Sequence, residues 1–229
     1  NLGKIGVKNF KIISKIGVEN NFNSESLLRD LKCICENLKI NNLEGLLLHS
    51  YSSSIQNDNF LSLLEEIKHT KLVKKIGVSI YNIEDMIKIN SKFSVDIFQI
   101  PLNILNRDSF LDETLNEVRS KGVEIHIRSI FLQGLLLMDK DKRPPYFKKW
   151  NELFNEWDFW LEKEGITALE ACLSFAFFHK NIDKVLIGID SLKQLKEIVN
   201  KVRQLKKIEL PKAFISKDNK LINPVNWKF

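Results

Sequence analysis

Six times in succession this chain sets a short apolar run, bounded by turn residues, ahead of a longer stretch of helical period. The runs are "FKIISKIG" (10–17), "LEGLLLHS" (43–50), "KKIGVSIY" (74–81), "VDIFQIPLN" (95–103), "GVEIHIRSIFLQGLLLM" (122–138) and "DKVLIGID" (183–190). Several are apolar on both faces. Strands buried on both sides and each followed by a helix predict a parallel sheet covered by helices. The spacing repeats as well: 34 residues from Lys15 to His49, 30 from His49 to Ser79 and 30 from Gln99 to Ser129. That suits the stacked βα units of a barrel. A doubly wound open sheet is the rival, but no G-x-G-x-x-G phosphate turn occurs. The first helix, "SESLLRDLKCICENLK", repeats Leu27, Leu28, Leu31, Ile34, Cys35 and Leu38 at steps of three and four, with Ser24 expected as its N-cap.

With 229 residues and 44% hydrophobic content, one core is enough for the whole chain, so a single domain over 1–229 is expected. The 35 basic and 29 acidic residues give +6, but the cations are scattered from Lys4 to Lys228, which argues against a nucleic-acid surface. Cys33, Cys35 and Cys172 make no even set and read as reduced apolar fillers of a cytoplasmic protein. No apolar stretch approaches the ~20 residues of a membrane span, and no signal segment is visible. The interval 139–165 breaks the rhythm: charges and two prolines precede Phe147, Trp150, Leu153, Phe154, Trp157 and Trp160 at helical spacing. It reads as an amphipathic helix docked on the fold, or else as a lid whose aromatics wall a pocket.

Polar residues close the apolar runs: Lys15, His49, Ser79, Gln99, Arg128 with Ser129, and Gly188 with Asp190. Singly each is weak. A strand-end lysine can snorkel to water, and a lone histidine is more often a satisfied core residue. Gln99 is harder to dismiss, because a carboxamide among apolar neighbours needs partners. Six such ends on the C-terminal rim of a barrel, where its chemistry is kept, point to a shared polar ligand.

In order and spacing these residues resemble the aldo-keto reductases from about residue 2 to 200. "IISKIG" resembles the strand with the catalytic Lys, "LEGLLLHSY" the strand ending in the catalytic His, and "KKIGVSIYN" a "GVSN" strand. "DIFQIPLNILNR" is similar to the strand whose Gln holds the nicotinamide carboxamide, "IRSIFLQGLLL" to the pyrophosphate loop, and "VLIGIDSLKQLKEI" to the adenosine segment. The resemblance implies an α/β fold of the (β/α)8 TIM-barrel type, of which this chain supplies the third to eighth units. It implies NADP- or NAD-dependent reduction of an aldehyde or ketone without metal or flavin, with a sugar-derived carbonyl as the narrower expectation. The family's Tyr donates a proton to the nascent alkoxide while Lys and Asp lower its pKa and His orients the carbonyl. By match, Lys15 and His49 take the catalytic roles. Ser79, Gln99, Arg128, Ser129, Gly134, Gly188, Asp190, Gln194 and Glu197 take cofactor contacts.

The departures are specific. Arg128 stands where most members have an aromatic that stacks on the nicotinamide; its guanidinium can stack too and adds donors for a pyrophosphate or acidic substrate. The alternative is that Arg128 pairs with a structural carboxylate. Ser79-Ile80 replaces a Ser-Asn pair, with Asn82 as a substitute contact. Asp190 and Gln194 stand where NADP-preferring members carry cations; Asp190 suits a free 2′-hydroxyl, whereas Lys193 could serve a 2′-phosphate. The strands carrying the Asp and the Tyr have no counterpart, and Tyr51, Tyr81 and Tyr146 lie in other contexts, so an N-terminally incomplete barrel is expected. A non-catalytic nucleotide-binding or interaction module of the same fold is the alternative, and an unrelated phosphate-using barrel lyase or isomerase a third. Substrate identity and oligomeric state are not legible.

Overall fold

The computed structural model describes residues 2–7, 9–17, 23–49, 51, 58–107, 110 and 112–228, residue 58 by its backbone alone. After a one-turn helix α1 (Leu2–Ile5), strands and helices alternate: β1 (Ile13–Ile16), α2 (Ser24–Leu38), β2 (Leu43–Leu48), α3 (Asp58–His69), β3 (Val73–Ser79), α4 (Ile83–Lys92), β4 (Ile97–Pro101), α5 (Asp112–Ser120) and β5 (Glu124–Arg128). Then come α6 (Asn151–Glu164), α7 (Ala168–Phe178), β6 (Lys184–Val185), α8 (Leu192–Arg203) and the short α9 (Asn219–Ile222). The strands form one sheet in the order β1-β2-β3-β4-β5-β6, parallel in the pairings described. This is the α/β architecture expected of repeated βα units. By its internal packing the chain divides into two compact units, Asn1–Ile100 with Asp112–Ile125, and Pro101–Leu111 with His126–Phe229.

In the first unit the sheet is apolar on both faces, as its run-on hydrophobic strands require: Leu46, Leu47, Leu48, Ile76, Val78, Ile97 and Phe98 are fully buried. Gly77 lies between Leu47 and Ile97 in the ladder. A β-carbon there would run into the Ile97 carbonyl and stand 2.6 Å from a Leu47 methyl, so only glycine fits. Helix α2 turns Leu27, Leu31 and Cys35 inward. Its N-cap is Asn23, not Ser24: the Asn23 carboxamide oxygen accepts from the Ser26 N–H at 2.9 Å, while Ser24 is already helical and its hydroxyl donates to Glu66. Asparagine caps as well as serine does, and Asn23 has the extended backbone that a cap needs.

Near the N-terminal ends of the strands the charges satisfy one another. Lys75 bridges Glu124 at 2.6 Å and Glu44 at 3.5 Å; Lys11 and Lys74 also reach Glu44; Lys68 pairs with Asp96, which accepts the Ile76 N–H. Partial burial pushes the Glu44 carboxyl up, but the three lysines outweigh it and hold it below its ordinary value. These charges are occupied with structure.

The second unit is built differently. Around α6 and α7 lies an aromatic core of Phe147, Phe154, Trp157, Trp160 and Phe214, with Trp150 and Trp227 packed against it. The polar edges of these rings are anchored: the indole N–H groups of Trp150, Trp157 and Trp227 donate to Asp218, the Leu136 carbonyl and the Leu221 carbonyl. The interval 139–165 is therefore a docked segment, largely 3-10 turns and α6, with its aromatics in the core and Phe159 alone of the large ones turned to solvent. The strand expected at 183–190 is much shorter, because pairing with β5 ends after Leu186 donates to the Ile127 carbonyl. Helix α8 buries none of its residues. Cys172 is buried, where desolvation pushes its thiol pKa up; it, Cys35 and Cys33 are free thiols.

Candidate functional site

Strand register puts the first unit's candidates on one face. Lys15 pairs with Leu47, Leu47 with Gly77 and Gly77 with Ile97; Ser79 pairs with Gln99 two residues further on. Because side chains in a strand alternate, positions two apart face the same way, so Lys15, Ser79 and Gln99 lie above Gly77 on one side of the sheet. The Lys15 ammonium accordingly donates to the Gln99 carboxamide oxygen, 84 residues away in sequence. Ser79 and Gln99 are each only 1% exposed. His49 follows β2 directly; its N–H donates to the Ile16 carbonyl at 2.7 Å, and its exposed imidazole has no hydrogen-bond partner among the described residues. Tyr51 is buried, and its N–H donates to the Ser79 carbonyl. Asn82 is taken up elsewhere: its carboxamide oxygen caps α4 by accepting the Asp85 N–H at 2.8 Å, and its amide donates to the Asp85 carboxylate. The substitute contact expected of Asn82 would have to break that cap.

In the second unit the chain leaves β5 through a bend that few residues tolerate. Ser129, Leu132 and Gln133 have φ of 62°, 47° and 55°, followed by Gly134 at 84°. Three non-glycine residues in the left-handed region within five positions is costly backbone, of a kind concentrated at binding sites. Asn103 holds the bend: its amide donates to the Ser129 carbonyl, and its oxygen accepts the Leu105 and Asn106 N–H groups at 3.1 Å. Asn103 had no role in the sequence reading, though the argument applied to Gln99, a carboxamide enclosed by apolar residues, applies equally within "IPLNIL".

The bend walls a cavity of about 690 Å³ lined by Arg128, Ser129, Gly134, Gly188, Asp190 and Gln194 among others. Gln194 accepts the Asp190 N–H at 2.8 Å, and its own N–H is capped by the Ser191 hydroxyl at the start of α8. A second cavity of about 690 Å³ shares Phe131, Leu137 and Gln194 with the first and adds Met138, Trp157, Ala168, Ile198 and Glu197. All seven candidates of this unit thus line two cavities with a common wall. The second cavity also has an ion pair with no sequence signal, since its partners are 15 residues apart and in different elements: Arg143 grips Asp158 with both terminal nitrogens. Its remaining nitrogen, Nε, is buried with no hydrogen-bond partner among the described residues. Thr167 and Glu170 form a capping box on α7, and Lys201 donates to Glu170 at 2.8 Å. The Lys201 ammonium first, and then Thr167, hold the Glu170 carboxyl down at about 2.

The first unit offers the Gln99 carboxamide; the second offers the Arg128 guanidinium beside the strained bend and a cavity lined by both apolar and polar side chains. Among the described residues no group of His, Cys, Asp and Glu could hold a metal ion, and no helix is long and apolar enough to cross a membrane.

No curated protein sequence matches this chain. Among solved structures it is similar to the holo form of an aldo-keto reductase from Bacillus halodurans, with 16% identity and a TM-score of 0.72 over 96% of this chain and 80% of that one. It is also similar to a thermostable aldo-keto reductase in complex with the inhibitor epalrestat, with 21% identity and a TM-score of 0.66 over 93% and 73%. At these identities the likeness is one of fold. The family model for the Aldo/keto reductase family matches residues 5–216, nearly the whole chain. The chain therefore belongs to the aldo/keto reductase family, NAD(P)-dependent oxidoreductases that act on carbonyl compounds.

Proposed function

We propose that this chain reduces an aldehyde or ketone, a sugar-derived carbonyl being the narrower reading, with Lys15 and His49 at the reacting carbonyl. In this reading Ser79 and Gln99 meet the nicotinamide carboxamide, Arg128, Ser129 and Gly134 the pyrophosphate, and Gly188, Asp190, Gln194 and Glu197 the adenosine half. A reduced nicotinamide held there would supply the hydride for the carbonyl carbon and would itself be oxidised. The chain's own residues would handle the charge that develops on oxygen: the Lys15 ammonium would stabilise it, the His49 imidazole would orient the oxygen by donating a hydrogen bond, and the proton that completes the alcohol would come from solvent water. The observation that carries this reading is the Lys15 to Gln99 hydrogen bond, which joins a catalytic and a cofactor candidate across four strands of sheet.

The test is consumption of reduced dinucleotide, followed at 340 nm, with a panel of aldehydes, ketones and aldoses. Turnover that falls by about 10² to 10⁴-fold in Lys15→Met supports the reading. Dinucleotide binding without turnover on any carbonyl would replace it with the non-catalytic module.

A further inference from the structure

We infer that Gln99 is a positioning residue for Lys15: its carboxamide oxygen fixes the ammonium, and its amide is left for a ligand. The inference rests on the function proposed above and adds which group sets the lysine in place. Lys15 is an exposed residue on β1, and a lysine stem by itself samples many rotamers. An ammonium that must meet one developing oxygen charge acts best when it is held in place before the substrate arrives. The acceptor that holds this one comes from β4, with β2 and β3 between. On that face β3 presents Gly77 and Ser79 at its end, one without a side chain and the other with a short one, so nothing bulky from β3 stands in the lysine's way.

Gln99 suits the task by its packing, its charge and its two unlike ends. It is 1% exposed, so packing fixes its rotamer, whereas a mobile acceptor would pass its own disorder to the lysine. Being neutral, it holds the ammonium without cancelling its charge, which a carboxylate at the same place would do. The oxygen accepts from Lys15, while no hydrogen bond joins the amide to a described residue. A donor on a side chain this enclosed is rarely left so, and the amide is therefore the end that a ligand carbonyl would satisfy.

The test is labelling of Lys15 in the intact chain by acetic anhydride at fixed pH, mapped by mass spectrometry, together with a double-mutant cycle in turnover. A hydrogen bond to the ammonium favours its charged, unreactive form. Gln99→Met keeps the length and removes the acceptor, and should speed labelling of Lys15 by about fivefold, with exposed Lys206 unchanged as the reference. Gln99→Glu should slow it by about the same factor or more. At saturating dinucleotide, Gln99→Met should lower kcat by about tenfold in the parent chain but by less than about twofold in Lys15→Met, because its effect passes through the lysine. Equal factors in the two backgrounds, or labelling of Lys15 unchanged by both substitutions, would overturn the inference and leave the proposed reduction standing. Turnover unaffected by Lys15→Met, or absent with every carbonyl, would remove the proposed reduction, and the inference with it.

Discussion

Helices α2 and α8 are written in the same pattern and meet opposite fates. Both repeat apolar residues at steps of three and four. In α2 that face is covered, with Leu27, Leu31 and Cys35 buried. In α8 the corresponding Leu192, Leu195 and Val199 stand 65%, 43% and 39% exposed, beside Leu186 and Ile189 of the preceding segment. Periodicity says that a face is apolar; it does not say what lies against it. The same difference separates the candidate residues of the two units. In the first unit, strand register alone fixes which side chains share a face, so Lys15, Ser79 and Gln99 follow from pairing. In the second, a strained bend and side-chain bonds from Asn103 and Gln194 do that work.

The comparison breaks most directly at the two helices. Leu31→Ala should destabilise by about 2–5 kcal/mol, because it empties a filled core position. Leu195→Ala should change stability by no more than about 0.5 kcal/mol. Urea midpoints followed by circular dichroism measure both, and similar costs would mean that α8 is as well covered as α2. Within the sheet, Gly77→Ala should cost about 1–3 kcal/mol through overpacking against Leu47 and Ile97; a neutral substitution would show that the ladder yields. In the bend, Asn103→Leu takes the acceptor from the Leu105 N–H and removes one of the donors to the Ser129 carbonyl, which keeps the Leu132 N–H, and about 1–3 kcal/mol of stability should go. Dinucleotide affinity should fall along with it, since the bend walls the first cavity; a stability loss with affinity unchanged would separate the bend from the ligand.

The smallest effect is one of pH. Glu170 titrates at about 2 in the folded chain against an ordinary 4.5. Its contribution is therefore fully present above pH 4.5 and is lost as pH falls through 2. Because the group is 30% exposed, solvent screening keeps the effect to about 1 kcal/mol. Glu170→Gln should flatten that part of the stability curve of the second unit, and an unchanged curve would show that the Lys201 bridge is idle.

Much of the architecture was legible because it rests on local periodicity. The six βα repeats, the first helix and the polar strand ends all follow from residue spacing. What escaped depends on partners distant in sequence or on backbone that no side chain announces. Nothing in "SIFLQ" predicts positive φ at Ser129, Leu132 and Gln133. Nothing at Arg143 predicts its grip on Asp158. The final strand was overextended because "VLIGID" reads as a buried run, whereas Leu186 and Ile189 are exposed. The choice between lid and docked helix for 139–165 needed the indole N–H partners, all of them carbonyl or carboxylate groups of the second unit.

Under the proposed function, Gln99 and Arg128 each contact a nicotinamide dinucleotide. Titration of NADH into the chain and into Gln99→Leu and Arg128→Leu tests it most directly. Saturable binding that each substitution weakens by about tenfold or more is the expected result. Unchanged affinity in both variants, or no binding to the parent chain, would contradict it.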